Sequence, residues 1–281
     1  MADPTAPTLA LVQPAHQPAE LMVAAAQSAE EAGLEEVWLW EDCFFASGIA
    51  PAAAILSATE RLRVGIGLLP VPLRAPSLTA MEIAAIERMF PGRFLPGLGH
   101  GILDWMGQAG VRVDSPVTLL REHTDAIGRL LRGEQVSTDG RYVHLDRVQL
   151  NFPPLSPPPL YIGGRGPKTL AVAAELADGV ILDDAAPDGV AEPARIREVR
   201  ERLAEVRAAA GRAEHFDIAV FLSTAADISA AQLADQAGAL FAAGAHRVAA
   251  FAGGVDGPPG HGQQITDFIP VLAQARQLLT S

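Results

Sequence analysis

Three places in the sequence set reactive residue types where a ligand could reach them. His100 stands between two glycines in GLGHG. An imidazole with an ordinary pKa of about 6.5 suits proton exchange at neutral pH, or serves only to hydrogen-bond a bound ring and its chain. Glu41 and Asp42 follow VWLW and precede Cys43, Phe44 and Phe45. Burial beside Trp40 and the phenylalanines would make one of these carboxyls hold its proton to higher pH; in a wetter setting it would bind polar groups or cap a turn. The third place is YIGGRGPKT, residues 161–169. Gly163, Gly164 and Gly166 follow a short apolar run, and Pro167 suits the first turn of a helix. The order is strand, glycine turn, helix. A helix N-terminus presents bare N–H groups and the positive end of its dipole, an anion site most often used for phosphate. The spacing matches neither the GK[ST] phosphate loop nor GxGxxG, and a tight turn without a ligand is the other reading.

Further residues stand near these three. Trp105 and Met106, in ILDWMGQAG, could wall a flat ring or pack in the core. Arg74, in PVPLRAP, could attract an anionic tail or substrate, or pair with an acidic neighbour. Lys168 is the lone lysine among 21 basic residues. His123 and His144 fall on a helix and a hairpin and read as structural. No HExxH or CxxC spacing is present, so no metal site is expected.

The elements that must position these residues alternate along the chain. Strand patterns cover residues 8–12, 36–40, 62–69, 93–98, 160–163, 179–182, 216–222 and 247–251. Helical patterns cover 18–32, 50–57, 77–89, 116–131, 167–177, 193–210, 230–243 and 263–279. Eight strand-then-helix units predict an α/β fold, a (β/α)₈ TIM barrel formed by residues 1–281 as one domain. In such a barrel the chemistry sits at the C-terminal ends of the strands. One segment breaks the rhythm: GRYVHLDRVQL, Gly140 to Leu150, alternates like a hairpin, and the proline-rich NFPPLSPPP continues as an extended connector. Together they read as an insertion at about 133–159, between the fourth helix and the fifth strand.

A formal charge of −12 argues against sequence-independent nucleic-acid binding, which relies on clustered Lys and Arg. The N-terminal stretch has no basic residue ahead of an apolar run, and no apolar stretch is long enough to span a bilayer. With Cys43 as the single cysteine, no internal disulfide can form. The expectation is a cytoplasmic protein with no membrane partner.

Three ordered blocks, VWLWED, RLRVGIGLLPVPLRAPSLTAMEIAAIERMFPGRFLPGLGHG and LYIGGRGPKTLAVAAELADGVIL, resemble the luciferase-like monooxygenase superfamily. The resemblance implies a TIM barrel that binds coenzyme F420, a deazaflavin, or alternatively FMN, with the ring in the barrel mouth. It places a strand-three bulge with a non-prolyl cis peptide at Gly67-Leu68. It also places the coenzyme phosphate on the amides of Gly164, Arg165, Gly166, Lys168 and Thr169, with Arg165 available for charge pairing. Trp40, Glu41, Gly67, Leu68, His100, Gly101, Gly163 and Pro167 complete the implied coenzyme contacts, and Phe44, Arg74, Trp105 and Met106 the substrate pocket. Two features depart from the family's pattern. Where many deazaflavin-dependent members have Asp-His after strand two, this chain has Glu41-Asp42. Where others have threonine and glutamate around the strand-four glycine, it has His100, Gly101 and Ile102.

The implied activity is hydride transfer between reduced F420 and an organic substrate, such as reduction of an activated C=C or C=N bond, for example a dehydroamino acid in a modified peptide. His100, Asp42 or Glu41 would supply the proton. The alternatives are an FMN-dependent monooxygenase fed by a partner flavin reductase, and a coenzyme-binding protein without turnover. Family members are often homodimers, so a homodimer is a possible assembly.

Overall fold

The short apolar runs form strands because each is rich in Val, Ile, Leu or Phe and is buried along nearly its whole length, as parallel strands covered by helices require. The computed structural model describes residues 7–183, 192–212, 215–255 and 257–280. Its strands are β1 (Thr8–Gln13), β2 (Glu36–Leu39), β3 (Arg63–Pro70), β4 (Phe94–Gly99), β5 (Val136–Asp139), β6 (His144–Val148), β7 (Tyr161–Gly163), β8 (Gly179–Leu182), β9 (Asp217–Thr224) and β10 (Arg247–Gly254). Around them lie α1 (Ala19–Glu31), α2 (Ile49–Ala58), α3 (Pro76–Met89), α4 (Leu103–Gln108), α5 (Pro116–Leu131), α6 (Pro167–Leu176), α7 (Pro193–Ala209), α8 (Ala230–Ala243) and α9 (Gln263–Leu279).

All strands except β5 and β6 are parallel and close into a barrel in the order β1-β10-β9-β8-β7-β4-β3-β2. Closure is made by β1, whose Ala10 pairs with Ala249 of β10 and whose Leu11 pairs with Val37 of β2. The fold is the (β/α)₈ TIM barrel that the alternation of elements predicts. Proline opens α3, α5, α6 and α7, where its missing N–H costs no helix bond. A capping box between Ser229 and Gln232 starts α8, and Gly244 in a left-handed conformation ends it.

The insertion differs from its expected form. Gly140 lies in the turn, and the first hairpin strand, Val136–Asp139, precedes the stretch that reads as the hairpin. Only four residues long and mostly polar, that strand leaves little pattern in the sequence. The Glu122 carboxylate fixes the turn by accepting the N–H groups of Arg141, Tyr142 and Val143 at 2.8–2.9 Å. The six-residue α4 and a 3₁₀ turn, Val71–Leu73, were also absent from the sequence pattern. Both are too short to show a periodicity.

Alternation along the strands sends one set of side chains outward against the helices and another into the barrel. Trp38 is central inside. Its ring meets Tyr161 and Phe221 edge-on, with centroids 5.6 and 5.7 Å away, the arrangement aromatic quadrupoles favour. Beneath, at the N-terminal ends of the strands, the barrel is closed by charge. The Trp38 indole donates to Glu36 at 2.7 Å and the Tyr161 hydroxyl to Asp217 at 2.5 Å. Arg247 bridges the two carboxylates at 3.5 and 3.3 Å, and Arg63 adds a contact to Glu36 at 3.3 Å. Glu36 and Arg247 are 0% and 3% exposed. Among the described residues no helix is long and apolar enough to cross a membrane.

A buried ion pair is costly to break from one side, because the survivor stays charged without its partner. Arg247→Ala is therefore expected to cost about 3–5 kcal/mol, read as a lower urea midpoint with an unchanged slope. A midpoint equal to that of the wild type would show that this floor carries no stability.

Candidate active site at the barrel mouth

The C-terminal ends of the strands surround a cavity of about 590 Å³. From β2 and its loop come Trp40, Glu41 and Asp42; from β3, Gly67, Leu68 and Pro70; from the segment after β4, His100, Gly101, Ile102, Trp105 and Met106. The turn after β7 adds Gly163, Gly164, Arg165 and Gly166. Ile181, Asp183, Phe221, Ser223 and Phe251 complete the lining from β8, β9 and β10.

Leu68 owes its place to glycine. The Gly67-Leu68 peptide is cis and the register between β3 and β4 shifts there. The Leu68 side chain then lies where Gly99 and Gly163 would carry a Cβ: one built there would fall 2.3 and 2.5 Å from Leu68 Cδ2. Leu68 thus spans β4 and β7 and forms part of the cavity floor. Ile181 and Phe221 continue the floor from β8 and β9. Phe251 packs edge-on against Trp40 at 4.8 Å on its far side.

The acidic pair after β2 divides its work. Glu41 is 7% exposed, accepts the Gly48 amide at 2.5 Å, and receives both terminal nitrogens of Arg74, one of them at 2.9 Å. Arg74 also pairs with Glu82 at 3.4 Å. Glu41 is therefore an ionic clamp tying the β2 loop to α2 and to the segment after β3, which corrects its reading as a proton donor. Of the two readings of Arg74, pairing with an acidic neighbour is the one found, to Glu41 and Glu82, while its placement in the substrate pocket is corrected: it borders a separate cleft under the hairpin. Asp42 keeps no such partner among the described side chains. Burial raises its pKa above the ordinary value, opposed by nearby His16 and reinforced by the carboxylates of Asp183 and Glu41.

His100 is half-buried, with Nδ1 2.8 Å from the Gly101 carbonyl. A carbonyl only accepts, so Nδ1 carries the proton and Nε2 of the neutral ring is an acceptor. At the glycine turn, Pro167 is the first helical residue of α6 with Gly166 as its N-cap. The amides of Lys168 and Thr169 then have no carbonyl one turn earlier to receive them. The Gly164 amide is already taken by Ile181 O at 3.2 Å, which corrects its reading as a phosphate donor. Arg165 pairs with Asp183 at 2.9 and 3.0 Å across the rim. Pro167, Lys168 and Thr169 lie just beyond the cavity lining, with Thr169 packed under Gly164. Phe44 does not line the cavity either; it is 66% exposed on the β2 loop. His123 and His144 lie away from the mouth, on α5 and β6.

Residues 2–271 match the luciferase-like monooxygenase family. The chain belongs to that family. It is 28% identical over 200 residues to a 5,10-methylenetetrahydromethanopterin reductase of Archaeoglobus fulgidus, covering 71% of this chain and 58% of the relative. It is 31% identical over 171 residues to an F420-dependent glucose-6-phosphate dehydrogenase of Nakamurella multipartita, covering 56% of this chain and 50% of the relative. The chain thus matches little more than half the length of these curated relatives. Its fold is shared with the coenzyme F420 dependent tetrahydromethanopterin reductase of Methanopyrus kandleri, at a TM-score of 0.80, 17% identity, and coverage of 96% of this chain and 98% of the other.

In this luciferase-like chain, sequence reasoning missed Ile181, Asp183, Phe221, Ser223 and Phe251 as lining residues. Each lies in or directly after a strand that the sequence pattern does locate. The usable signal was the inward phase of the strand alternation, carried one residue past each strand end.

The setting of Asp42 sets a pH dependence of stability. With a folded-state pKa above 3.8, the folded chain binds this proton more tightly than the unfolded chain does. Its contribution is fully present below pH 3.8 and is lost as pH rises through the folded value. Asp42→Asn cannot ionise, so the variant is expected to melt above the wild type at about pH 8 and level with it at about pH 3. An equal difference at both pH values would exclude ionisation as the cause.

Proposed function

We propose that this chain is a deazaflavin-dependent oxidoreductase that binds coenzyme F420 in the barrel mouth and reduces an activated C=C or C=N bond of an organic substrate. The observation that carries this reading is the mouth's division into an apolar slot and an uncapped helix N-terminus. The slot, formed by Leu68, Ile181, Phe221 and Phe251, suits a flat tricyclic ring. The amides of Lys168 and Thr169, at the start of α6, suit the coenzyme's phosphate. One curated relative, the F420-dependent glucose-6-phosphate dehydrogenase of Nakamurella multipartita, supports the choice of coenzyme.

A bound deazaflavin supplies a ring carbon that gives or accepts a hydride. The chain supplies the remainder. Leu68, wedged over Gly99 and Gly163, holds one face of the slot. Trp40, Gly67, Gly101, and Trp105 and Met106 of α4 border it, and Gly163, Arg165 and Gly166 shape the turn at the phosphate end. In the reductive direction Asp42 gives the proton, because burial lets its carboxyl stay protonated to higher pH. His100 lines the mouth, and with Nδ1 bonded to the Gly101 carbonyl the Nε2 of its neutral ring is left as an acceptor. Glu41 and Arg74 act by positioning Asp42.

Titration of the purified chain with F420 and with FMN tests the coenzyme. F420 is expected to bind at least about tenfold more tightly, a gap of about 1.4 kcal/mol. Tighter FMN binding with oxygen uptake would establish the monooxygenase reading instead, and F420 binding without turnover across a panel of alkenes and imines would establish a binding protein. For Asp42→Asn the expected rate loss is about 10²–10⁴-fold. The wild-type rate should fall as pH rises through the raised Asp42 pKa, and the variant's should not. A variant as fast as the wild type would remove Asp42 from the mechanism.

A further inference from the structure

A line of aromatic rings runs from the mouth into the barrel. Trp40 lines the cavity, and its ring packs on Phe221 with centroids 5.9 Å apart. Phe221 meets Trp38 at 5.7 Å, and Trp38 meets Tyr161 at 5.6 Å. Trp38 and Trp40 stand two residues apart, at the end of β2 and just after it, and both pack in the interior cluster. Trp38 and Tyr161 are fully buried. Each of these two inner rings also ends on a base: the Trp38 indole donates to Glu36 at 2.7 Å and the Tyr161 hydroxyl to Asp217 at 2.5 Å. Packing alone does not call for this. Apolar rings in the same places would need no carboxylate, and two buried carboxylates carry a desolvation cost that the bridging Arg247 offsets only in part. What the carboxylates add is a place for a proton. Loss of one electron makes an indole N–H or a phenol O–H strongly acidic, and a carboxylate already bonded to it takes the proton with little movement of any heavy atom.

We propose that Trp40, Trp38 and Tyr161 form a one-electron path through which the barrel interior quenches a photoexcited flavin-type ring held in the mouth. The excited ring is the oxidant and takes one electron from Trp40. Trp38 refills Trp40, with Phe221 packed against both, and Tyr161 refills Trp38. As Tyr161 loses its electron, its phenolic proton passes to Asp217, leaving a neutral tyrosyl radical bonded to a carboxylic acid. The electron then returns from the ring to Tyr161 and the proton from Asp217, so nothing is oxidised overall. The path draws the oxidising equivalent away from Met106, Trp105 and His100, which line the mouth, to a site closed to solvent. It rests on the proposed function only for the ring that starts it. The aromatic residues and their bases belong to the chain without coenzyme.

The test begins without coenzyme. The chain has two tyrosines, Tyr142 on the hairpin and Tyr161, so Tyr142→Phe leaves Tyr161 as the single source of a tyrosyl signal. In this variant, azide radicals made by pulse radiolysis oxidise tryptophan. The tryptophyl absorption is expected to decay as a tyrosyl absorption grows, at a rate independent of protein concentration. Adding Trp38→Phe should abolish that growth, and adding Asp217→Asn should slow it by removing the proton acceptor. Circular dichroism establishes that each variant is folded, and the Tyr142→Phe result stands without the other two. Absence of a tyrosyl signal in Tyr142→Phe, or an unchanged rate in a folded Trp38→Phe chain, would overturn the inference. F420 and FMN are then each added under illumination. The bound ring's fluorescence is expected to be quenched, and Trp40→Phe to restore it. Tyrosyl formation by azide radicals in a chain that takes up neither F420 nor FMN would overturn the coenzyme reading alone. Bound F420 that turns over in a chain forming no tyrosyl radical would overturn this one alone.

Discussion

Closure of the eight parallel strands is the constraint on which every other feature depends. A closed barrel leaves no strand edge to pair, but it encloses a space that must be filled by whatever the strands point inward. Here that space is divided along the barrel axis. Charged groups close the N-terminal end, aromatic rings fill the middle, and the C-terminal end is left hollow. Trp38 joins the first two layers, because its indole N–H bonds Glu36 below while its ring supports Phe221 above. Phe221 then belongs both to the packed interior and to the cavity floor. The floor of the site is the roof of the core, and it is as rigid as the packing beneath it.

The mouth shows how a carboxylate pair can be split between structure and chemistry. Two adjacent acids at a strand end repel each other, and in a half-buried place both cannot ionise cheaply. Arg74 takes up Glu41, which fixes the β2 loop through the Gly48 amide and leaves Asp42 as the member of the pair without an ion-pair partner among the described residues. The Asp42 pKa is raised. Burial is the main cause of that shift, with Asp183 and Glu41 adding to it, and Arg74, 14% exposed at its side chain, holds Glu41 in place.

Much of this was legible in the sequence, for identifiable reasons. Strands buried on both faces are continuous apolar runs, so VGIGLLP and IAVFLS reveal β3 and β9 within a residue or two. Prolines at first helical turns mark α5 and α6 directly. Loops at the strand ends follow once the barrel is assigned, and Trp40, Asp42, His100 and the turn after β7 were found that way. Side-chain commitments were not legible. That Arg74 serves Glu41, that Arg165 serves Asp183, and that the Gly164 amide serves Ile181 depend on contacts between segments far apart in the chain. Composition carries no record of such pairings. The hairpin's first strand and α4 were missed because four and six residues cannot establish a period.

The two halves of the mouth are fixed by different parts of the chain. The phosphate recognition proposed for the backbone amides at the start of α6 would require only a helix and a permissive turn, and backbone groups do not change with side-chain substitution. Leu68 is fixed in a similar way, by the absence of Cβ atoms at Gly99 and Gly163. Neither device says anything about what enters from solvent. That is left to loop side chains such as Phe44, Ile102 and Trp105, which the barrel does not need for its own packing and which can vary without disturbing Trp38 or the charged floor. Where the rim is free to change and the floor is not, likeness in the floor is evidence of a shared fold and a shared type of ligand, and only the rim distinguishes one substrate from another.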